Sequence, residues 1–409
     1  MTHQNRYLHL QNIFNSAKPL INNTESGIDI HNIFFESDSR KLLPGADFYS
    51  CIEHSTDFNE KLSIRNTDAF NSYPDILKNK DIDIIENREF CYTVFKKSGS
   101  DKAEGIILLF HGLNEKYWNK YLPWAEKLVE LTGKAVVLFP IAFHMNRVPA
   151  EWSDTRIMNT VAGIRRKNSR FIVNSTFANA AISARIEMIP QRFFWSGLQT
   201  FFDVVKLISE IKSGQNPLIK SDSSIDLFSY SIGSFLSEIL LMANPKNFFD
   251  TSKLFIFCGG PTLDRMAPNS KFILDSDATI AIYSFYTERL ESELKNDKRM
   301  NHYFNERHPA GLYFRSMLSY QKNKDLRENR FRELSSQIKA IALKKDTIIP
   351  ANEVLNTLRG DYRDIPIKVE IFDFNYNYNH IDPFPVNNNR EEEVNNEFNK
   401  VFTSAGEFF

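Results

Sequence analysis

Between residues 105 and 374 short apolar runs alternate with amphipathic stretches. The runs are Gly105–Phe110, Ala135–Phe139, Ile225–Ser229, Leu254–Phe257 and Ile338–Leu343, with a sixth at Lys368–Phe374. Near-continuous apolar strands are expected where both faces of a parallel sheet are covered. The stretches between them keep helical spacing. Leu122, Ala125, Leu128 and Val129 recur at three and four, and Gly133 stands where a C-terminal cap belongs. Phe194, Leu198, Phe201, Val205 and Ile208 predict a long amphipathic helix. Ile232, Phe235, Ile239 and Ala243 predict another, stopped by Pro245. Strands alternating with helices predict an α/β fold with a mostly parallel, doubly wound sheet. Right-handed crossovers then bring the strand C-termini, and the site, to one edge.

The rest of the chain is less regular. Ile82, Ile84 and Ile85, a turn at Glu86-Asn87, then Phe90, Tyr92, Val94 and Phe95 predict an antiparallel pair. Residues 1–80 scatter apolar positions among Asn, Asp and Ser, with turn signals at Asn22-Asn23, Pro44-Gly45 and Ser72-Tyr73-Pro74. They predict an N-terminal extension packed on the core. Two intervals are too long for simple crossovers: 141–190 and 261–337. Long insertions at strand C-termini shape or cover a site. The second carries Tyr283, Phe285, Tyr286, Tyr303, Phe304, Tyr313 and Phe314, with a helix-like piece at Ser284–Leu294, and reads as a cap or lid. The expected organisation is a core of 81–260 and 338–409, with these additions. The 409 residues then form one decorated domain.

Charge and composition narrow the classes. Lys plus Arg is 50 against 51 for Asp plus Glu, so no whole-chain field draws in nucleic acid or an anionic membrane. Arg165-Arg166-Lys167 with Arg170 reads as a solvated turn. Cys51, Cys91 and Cys258 form no CxxC pair and no disulfide framework. The first residues show no secretory signal, and no run approaches the ~18 apolar residues of a membrane span. A cytoplasmic location is expected. The near-zero charge permits self-association without requiring it.

The most informative stretch is Ile225-Asp226-Leu227-Phe228-Ser229-Tyr230-Ser231-Ile232-Gly233. A strand ends, a serine sits on a tight turn and a helix begins. In a G-x-S-x-G elbow, small residues flank the serine at two positions because strand and helix approach too closely for bulk. Here Gly233 fills the second place and Ser229 the first, a departure from Gly. Were Ser229 the nucleophile, Leu227 would have to fit a small position, so Ser231 is the better choice.

With this turn the chain resembles the α/β-hydrolase superfamily, in its lipase/esterase-like part, over roughly 81–385. Three other places carry the resemblance. Phe110-His111-Gly112-Leu113 ends the first long apolar strand, and the resemblance implies an oxyanion hole from the Leu113 and Ile232 amides. The His111 side chain reads as a brace for that loop. Leu343-Lys344-Lys345-Asp346 runs from a strand into an acid, and the resemblance implies Asp346 as the triad's acid. Asp264 is the rival, and Asp373 is weaker because it sits inside a strand pattern. Asn379-His380-Ile381-Asp382-Pro383 follows the last strand, and only His380 of nine histidines follows the acid. The order Ser231, Asp346, His380 agrees with the superfamily's order.

The implied activity is a serine hydrolase acting on an ester, thioester or small amide through an acyl-enzyme. Acyl transfer and a catalytically silent scaffold are the alternatives. No cofactor is implied. His302 and His308, six apart, do not match the usual zinc spacings, and a metal is set aside. His144, Asn146 and Arg147 follow a strand at the active edge, as candidates for substrate binding or for loop bracing. Trp118 lies near enough to touch a substrate, with core packing the default. The neutral charge and aromatic content suit a small, partly apolar acyl substrate.

Overall fold

The computed structural model describes residues 1–38, 42, 49–51, 53–58, 72–305, 307–386 and 389–409; the expected turn at Pro44-Gly45 lies outside them. Nine strands form one sheet: β1 (Leu20–Ile21), β2 (Ile28–Glu36), β5 (Glu89–Lys97), β6 (Ala103–Phe110), β7 (Ala135–Leu138), β8 (Ile219–Tyr230), β9 (Leu254–Phe257), β10 (Ile338–Leu343) and β11 (Lys368–Phe372). A separate two-stranded hairpin joins β3 (Tyr49–Cys51) to β4 (Thr56–Phe58). The sheet order is β1-β2-β5-β7-β6-β8-β9-β10-β11. The strands from β7 to the β11 edge are parallel, and β1, β2 and β5 join by antiparallel pairing.

Unbroken apolar strands have a visible cause. Ile106, Leu108 and Phe110 of β6 enter one core, while Ile107 and Leu109 enter the other. β7, β9 and β10 divide their residues in the same way. One core is covered by helices Arg192–Lys212, Ile232–Ala243 and Ala351–Arg359; the other lies under Leu122–Thr132 and Glu391–Phe408. Gly133 closes Leu122–Thr132 at φ +71°, a left-handed cap that costs glycine little.

The order also fixes where a ligand fits. From β6 the chain crosses to β7 on one side, while β8 lies on the other side of β6. Crevices beyond the carboxyl ends of strands at such a reversal are where open α/β sheets bind ligands. Phe110 and Ser229 are paired at the ends of β6 and β8, so the loops after these strands meet at the reversal.

Three expectations are corrected. Asp81–Asp83 is a 3-10 turn and Ile85–Arg88 a helical turn, not a strand. The Asp81 carboxylate is buried and accepts from Arg192 Nε at 2.9 Å and from Arg185, which pins this segment as a turn. The antiparallel partner of β5 is instead β2, in register from Ile28↔Lys97 to Glu36↔Glu89. Residues 20–36 are therefore part of the sheet rather than an extension laid upon it. In 261–337 the expected helix at Ser284–Leu294 is divided into a π turn, Ser284–Glu288, and a helix, Leu290–Asn296. Among the described residues, no helix is long and apolar enough to cross a membrane.

The N-terminal helix, His3–Ile13, docks through a polar stripe. His3, Arg6 and Leu10 are its buried residues. Arg6 pairs with Glu126, whose side chain is 0% exposed, and with Glu130 at 2.6 Å. Glu126 also accepts from Asn23 Nδ2 at 2.8 Å. Removing one partner of a buried pair leaves an uncompensated charge at a cost of about 3 kcal/mol or more. Arg6→Ala is expected to lower stability by that amount in urea unfolding; a loss under about 1 kcal/mol would refute the role given to the pair.

Candidate active site

The turn after β8 has the geometry its sequence predicts. Ser231 sits at φ +55°, ψ −124°, outside the regions that side-chain-bearing residues favour. Such strain, of order 1–3 kcal/mol, persists only where the surroundings enforce it. They do so here. A Cβ on Gly233 would lie 2.7 Å from the Phe110 carbonyl oxygen and 2.8 Å from that of His111. No other residue fits between helix Ile232–Ala243 and the end of β6. Ser229, fully buried, donates its hydroxyl to Phe255 O at 3.5 Å, so the serine in place of glycine is accommodated.

Ser231 Oγ lies 2.7 Å from His380 Nε2, and His380 Nδ1 lies 2.7 Å from Asp346 Oδ2. All three residues are buried. With an ionised Asp346, Nδ1–H donates to the carboxylate and Nε2 accepts from the serine hydroxyl. Asp346 Oδ1 accepts from the amides of Ile348 and Ile349, both at 2.9 Å, which fixes the carboxylate on its loop. The rival acid is occupied elsewhere. Asp264 accepts from Tyr320 N at 3.0 Å and from Thr262 Oγ1 at 2.7 Å. Asp373 faces Lys344 and Lys345.

The loop after β6 closes over this serine. A Cβ on Gly112 would meet Ser231 Cβ at 3.4 Å. Among the described residues, neither the Leu113 nor the Ile232 amide has an acceptor. The His111 ring is fully buried, and burial holds it well below the usual histidine range. As a neutral ring it donates from Nδ1 to Gly112 O at 2.8 Å and accepts from Ile141 N at 2.9 Å. It braces two loops at once.

A polar network that sequence reasoning missed joins the His380 segment to this loop. Gly112 N donates to Tyr121 Oη at 2.9 Å, and that hydroxyl donates to Glu115 Oε1 at 3.0 Å. Glu115 pairs with Lys120, which donates to Ile381 O at 3.0 Å and lies 4.6 Å from the centre of the Tyr230 ring. The Tyr230 hydroxyl donates to His380 O. Burial pushes both tyrosines far above the usual phenol range, so they stay neutral donors. These contacts link residues far apart in sequence, and no local pattern marks them.

The weaker candidates separate. Arg147 is fully buried against Asp203 at 2.8 Å, the Asn87 backbone and Pro140 O. Asn146 donates to Cys91 O at 2.8 Å. Both brace loops and neither lines a cleft beside the serine. Trp118 packs edge-on to His111 and is buried. His144 differs. Its Nδ1 donates to Ala142 O at 2.9 Å, burial lowers its pKa to about 4, and its buried Nε2 has no partner among the described residues.

Two clefts meet at Leu113 and His144. One is apolar, with Ile232, Phe201, Phe235, Ile239, Ala310 and Phe314 among its walls. The other adds Asn114, Glu115, Lys116, Arg185 and Arg192. The His302–His308 spacing does not exclude a metal. The fold brings Cys51 and His54 to those two rings, and a spacing rule for one segment cannot register ligands from two.

A profile of one protein family, described as a family of unknown function (DUF6051), matches residues 1–409. The chain belongs to the DUF6051 family. No curated protein matches this DUF6051 protein significantly. Among solved structures it is similar to a doubly substituted esterase rPPE, at 8% identity and TM-score 0.46, covering 100% of this chain and 90% of that one. A thermostable esterase from Pseudomonas putida ECU1011 gives 8%, TM-score 0.41 and the same coverages. Carboxyl esterase 2 from the fungus Tuber melanosporum gives 13% and 0.40, covering 78% of this chain and 82% of that one. At such scores the chemistry has to be read from this chain's own geometry.

The helix that starts at the turn also carries a buried acid. Glu238 is 0% exposed, and neither carboxyl oxygen has a partner among the described residues. Burial pushes its pKa well above the usual range, against a smaller opposing effect of Arg327. The folded chain keeps a proton that the unfolded chain loses above about pH 4.3. Stability therefore falls as pH rises from there towards the folded-state pKa. Glu238→Gln is expected to raise Tm, with the gain over wild type growing from pH 5 to pH 8. A gain that shrinks over that range would refute the protonated state.

Proposed function

We propose that this DUF6051 protein is a serine hydrolase of the α/β-hydrolase type, cleaving an ester, thioester or small amide. The observation that supports it best is the pair of 2.7 Å contacts from Ser231 through His380 to Asp346, on a strained turn. In this reading Ser231 Oγ attacks the acyl carbon and His380 Nε2 takes the hydroxyl proton. Asp346 holds the reactive tautomer and stabilises the imidazolium. The oxygen that becomes negative is held by the Leu113 and Ile232 amides, each worth about 10²–10³ in rate. His380 then protonates the leaving group, and water, deprotonated by the same ring, releases the acid. The segment 261–337 serves as a cap in this reading, because Ala310 and Phe314 come from it to the apolar cleft. That cleft takes the acyl chain. His144 Nε2, an acceptor in the neutral ring, takes a hydrogen bond from the substrate where the clefts meet.

A fluorophosphonate should label the wild type and fail to label Ser231→Ala. A folded wild type that resists labelling would refute the hydrolase reading; labelling that survives in Ser231→Ala would move the nucleophile elsewhere. With p-nitrophenyl esters, Asp346→Asn should lose turnover on the order of 10⁴-fold, the scale expected when an amide replaces a triad acid and fixes the wrong tautomer. Asp264→Asn should stay within about tenfold of wild type, because its contacts are to Tyr320 and Thr262. A larger loss at Asp264 would reverse the assignment.

The acyl cleft has its own test. Gly197 lines it from helix Arg192–Lys212, and a Cβ there would meet nothing within 4 Å. Gly197→Phe fills the cleft without a backbone clash, and the helix loses a glycine. Octanoate ester kcat/KM is expected to fall at least about tenfold against acetate, since methylenes in an apolar pocket discriminate by about 10–200-fold. Equal losses for both chain lengths would place the acyl chain elsewhere.

A further inference from the structure

Away from the serine, four ligand-type side chains from two distant segments converge. Cys51 ends β3, and His54 lies in the hairpin turn before β4. His302 belongs to helix Lys298–Tyr303, and His308 caps helix Pro309–Ser316. His308 Nε2 lies 3.0 Å from His54 Nδ1, 2.9 Å from His302 Nε2 and 3.5 Å from Cys51 Sγ. Cys51 Sγ is 3.8 Å from His54 Nδ1, and all four donor atoms stay within 4.8 Å of one another. Cys51 and His308 are each 2% exposed, while the other two rings are half-buried.

Hydrogen bonds alone do not account for this cluster. His308 Nδ1 lies 2.9 Å from a Glu53 carboxylate oxygen, so in the neutral ring that nitrogen carries the proton. Nε2 then offers a single lone pair, and two ring nitrogens and a sulfur crowd it. One lone pair accepts at most part of that set. A cation at the centre accepts from all four.

We propose that Cys51, His54, His302 and His308 bind a zinc ion. Zinc takes about 2.0–2.1 Å to imidazole nitrogen and about 2.3 Å to thiolate sulfur, which separates tetrahedral donors by about 3.3–3.6 Å. The four close separations, 2.9–3.8 Å, bracket that span. The two remaining pairs both involve His302, whose ring closes the shell by moving inward at the rim. A thiolate with three imidazoles suits zinc among divalent ions. Glu53 on His308 Nδ1 is the carboxylate that orients a ligating ring and fixes its tautomer. Four protein ligands leave no open position, so the ion is structural. It fastens the β3–β4 hairpin to the helix that brings Ala310 and Phe314 to the apolar cleft.

The full chain, expressed with added zinc, should carry about one zinc per chain by plasma mass spectrometry. Cys51→Ser and His302→Ala should each retain less than about a fifth of that. Chelation should lower the wild-type Tm, and zinc should restore it. Cobalt added to the chelated wild type should give tetrahedral ligand-field bands and a thiolate charge-transfer band, the latter missing from Cys51→Ser. Glu53→Gln should keep the stoichiometry but bind zinc about 10–100-fold more weakly. If a variant does not fold, the wild-type zinc and cobalt titrations decide alone. A folded wild type that takes up no zinc, or a metal content unchanged by substituting the four residues, would overturn the site. None of these readouts depends on Ser231 being a nucleophile.

Discussion

The site depends first on one close approach, that of Gly233 to the carbonyls of Phe110 and His111. With no side chain there, helix Ile232–Ala243 starts directly against the end of β6. The chain must then reverse within one residue, and Ser231 takes a strained positive-φ conformation. The same approach starts the helix at Ile232, directly after the serine, while the Gly112 turn lies against Ser231. A looser turn would relieve the strain and lose that arrangement together. The β6–β8 pairing makes it possible, because Phe110 and Ser229 are partners in register.

His380 has no such rigid support, since it lies on a loop beyond β11. Neutral donors and one ion pair hold it. Tyr230 anchors the His380 carbonyl, and Lys120 anchors Ile381 while pairing with Glu115. Glu115 in turn accepts from the tyrosine that accepts the Gly112 amide. A shift of the His380 loop is therefore felt at the loop that binds the oxyanion in the proposed reaction. Such networks are stable only when every member is satisfied, because an unpaired polar group in a low dielectric is costly.

The sequence made the parallel part of this architecture legible because burial on both faces leaves an unbroken apolar signature. β6, β7, β9 and β10 carry that signature, and the helices between them carry apolar spacing. The other half of the sheet does not. β2 has Asn32 at a buried position and Phe34 at 62% exposure, so its alternation fails where a period-two reading needs it. Asn32 is satisfied by Thr93 Oγ1 at 2.7 Å and by the carbonyls of Lys18 and Asn15, partners that only the fold supplies. Helix His3–Ile13 hides for the same reason, since its buried stripe includes His and Arg. Ser231, Asp346 and His380 stand out as candidates in the sequence because each follows a legible strand. The Cys51–His308 cluster does not, because its parts are 257 residues apart.

The histidines show why residue type and position alone do not settle a role. His111, His144 and His380 gather at one edge of the sheet, and all three are buried. What differs is how many ring nitrogens the protein has already engaged. Both nitrogens of His111 are tied to backbone, so desolvation leaves it neutral and inert. His144 is tied at one nitrogen, and the other has no partner among the described residues. His380 has a carboxylate on one side and a hydroxyl on the other. That is the one arrangement of the three in which a proton arriving at Nε2 is stabilised by a charge at Nδ1. The same count applies to His308, where Glu53 engages Nδ1 and leaves Nε2 to the converging ligands. The partner on the far nitrogen thus decides whether a buried ring braces, binds or moves a proton.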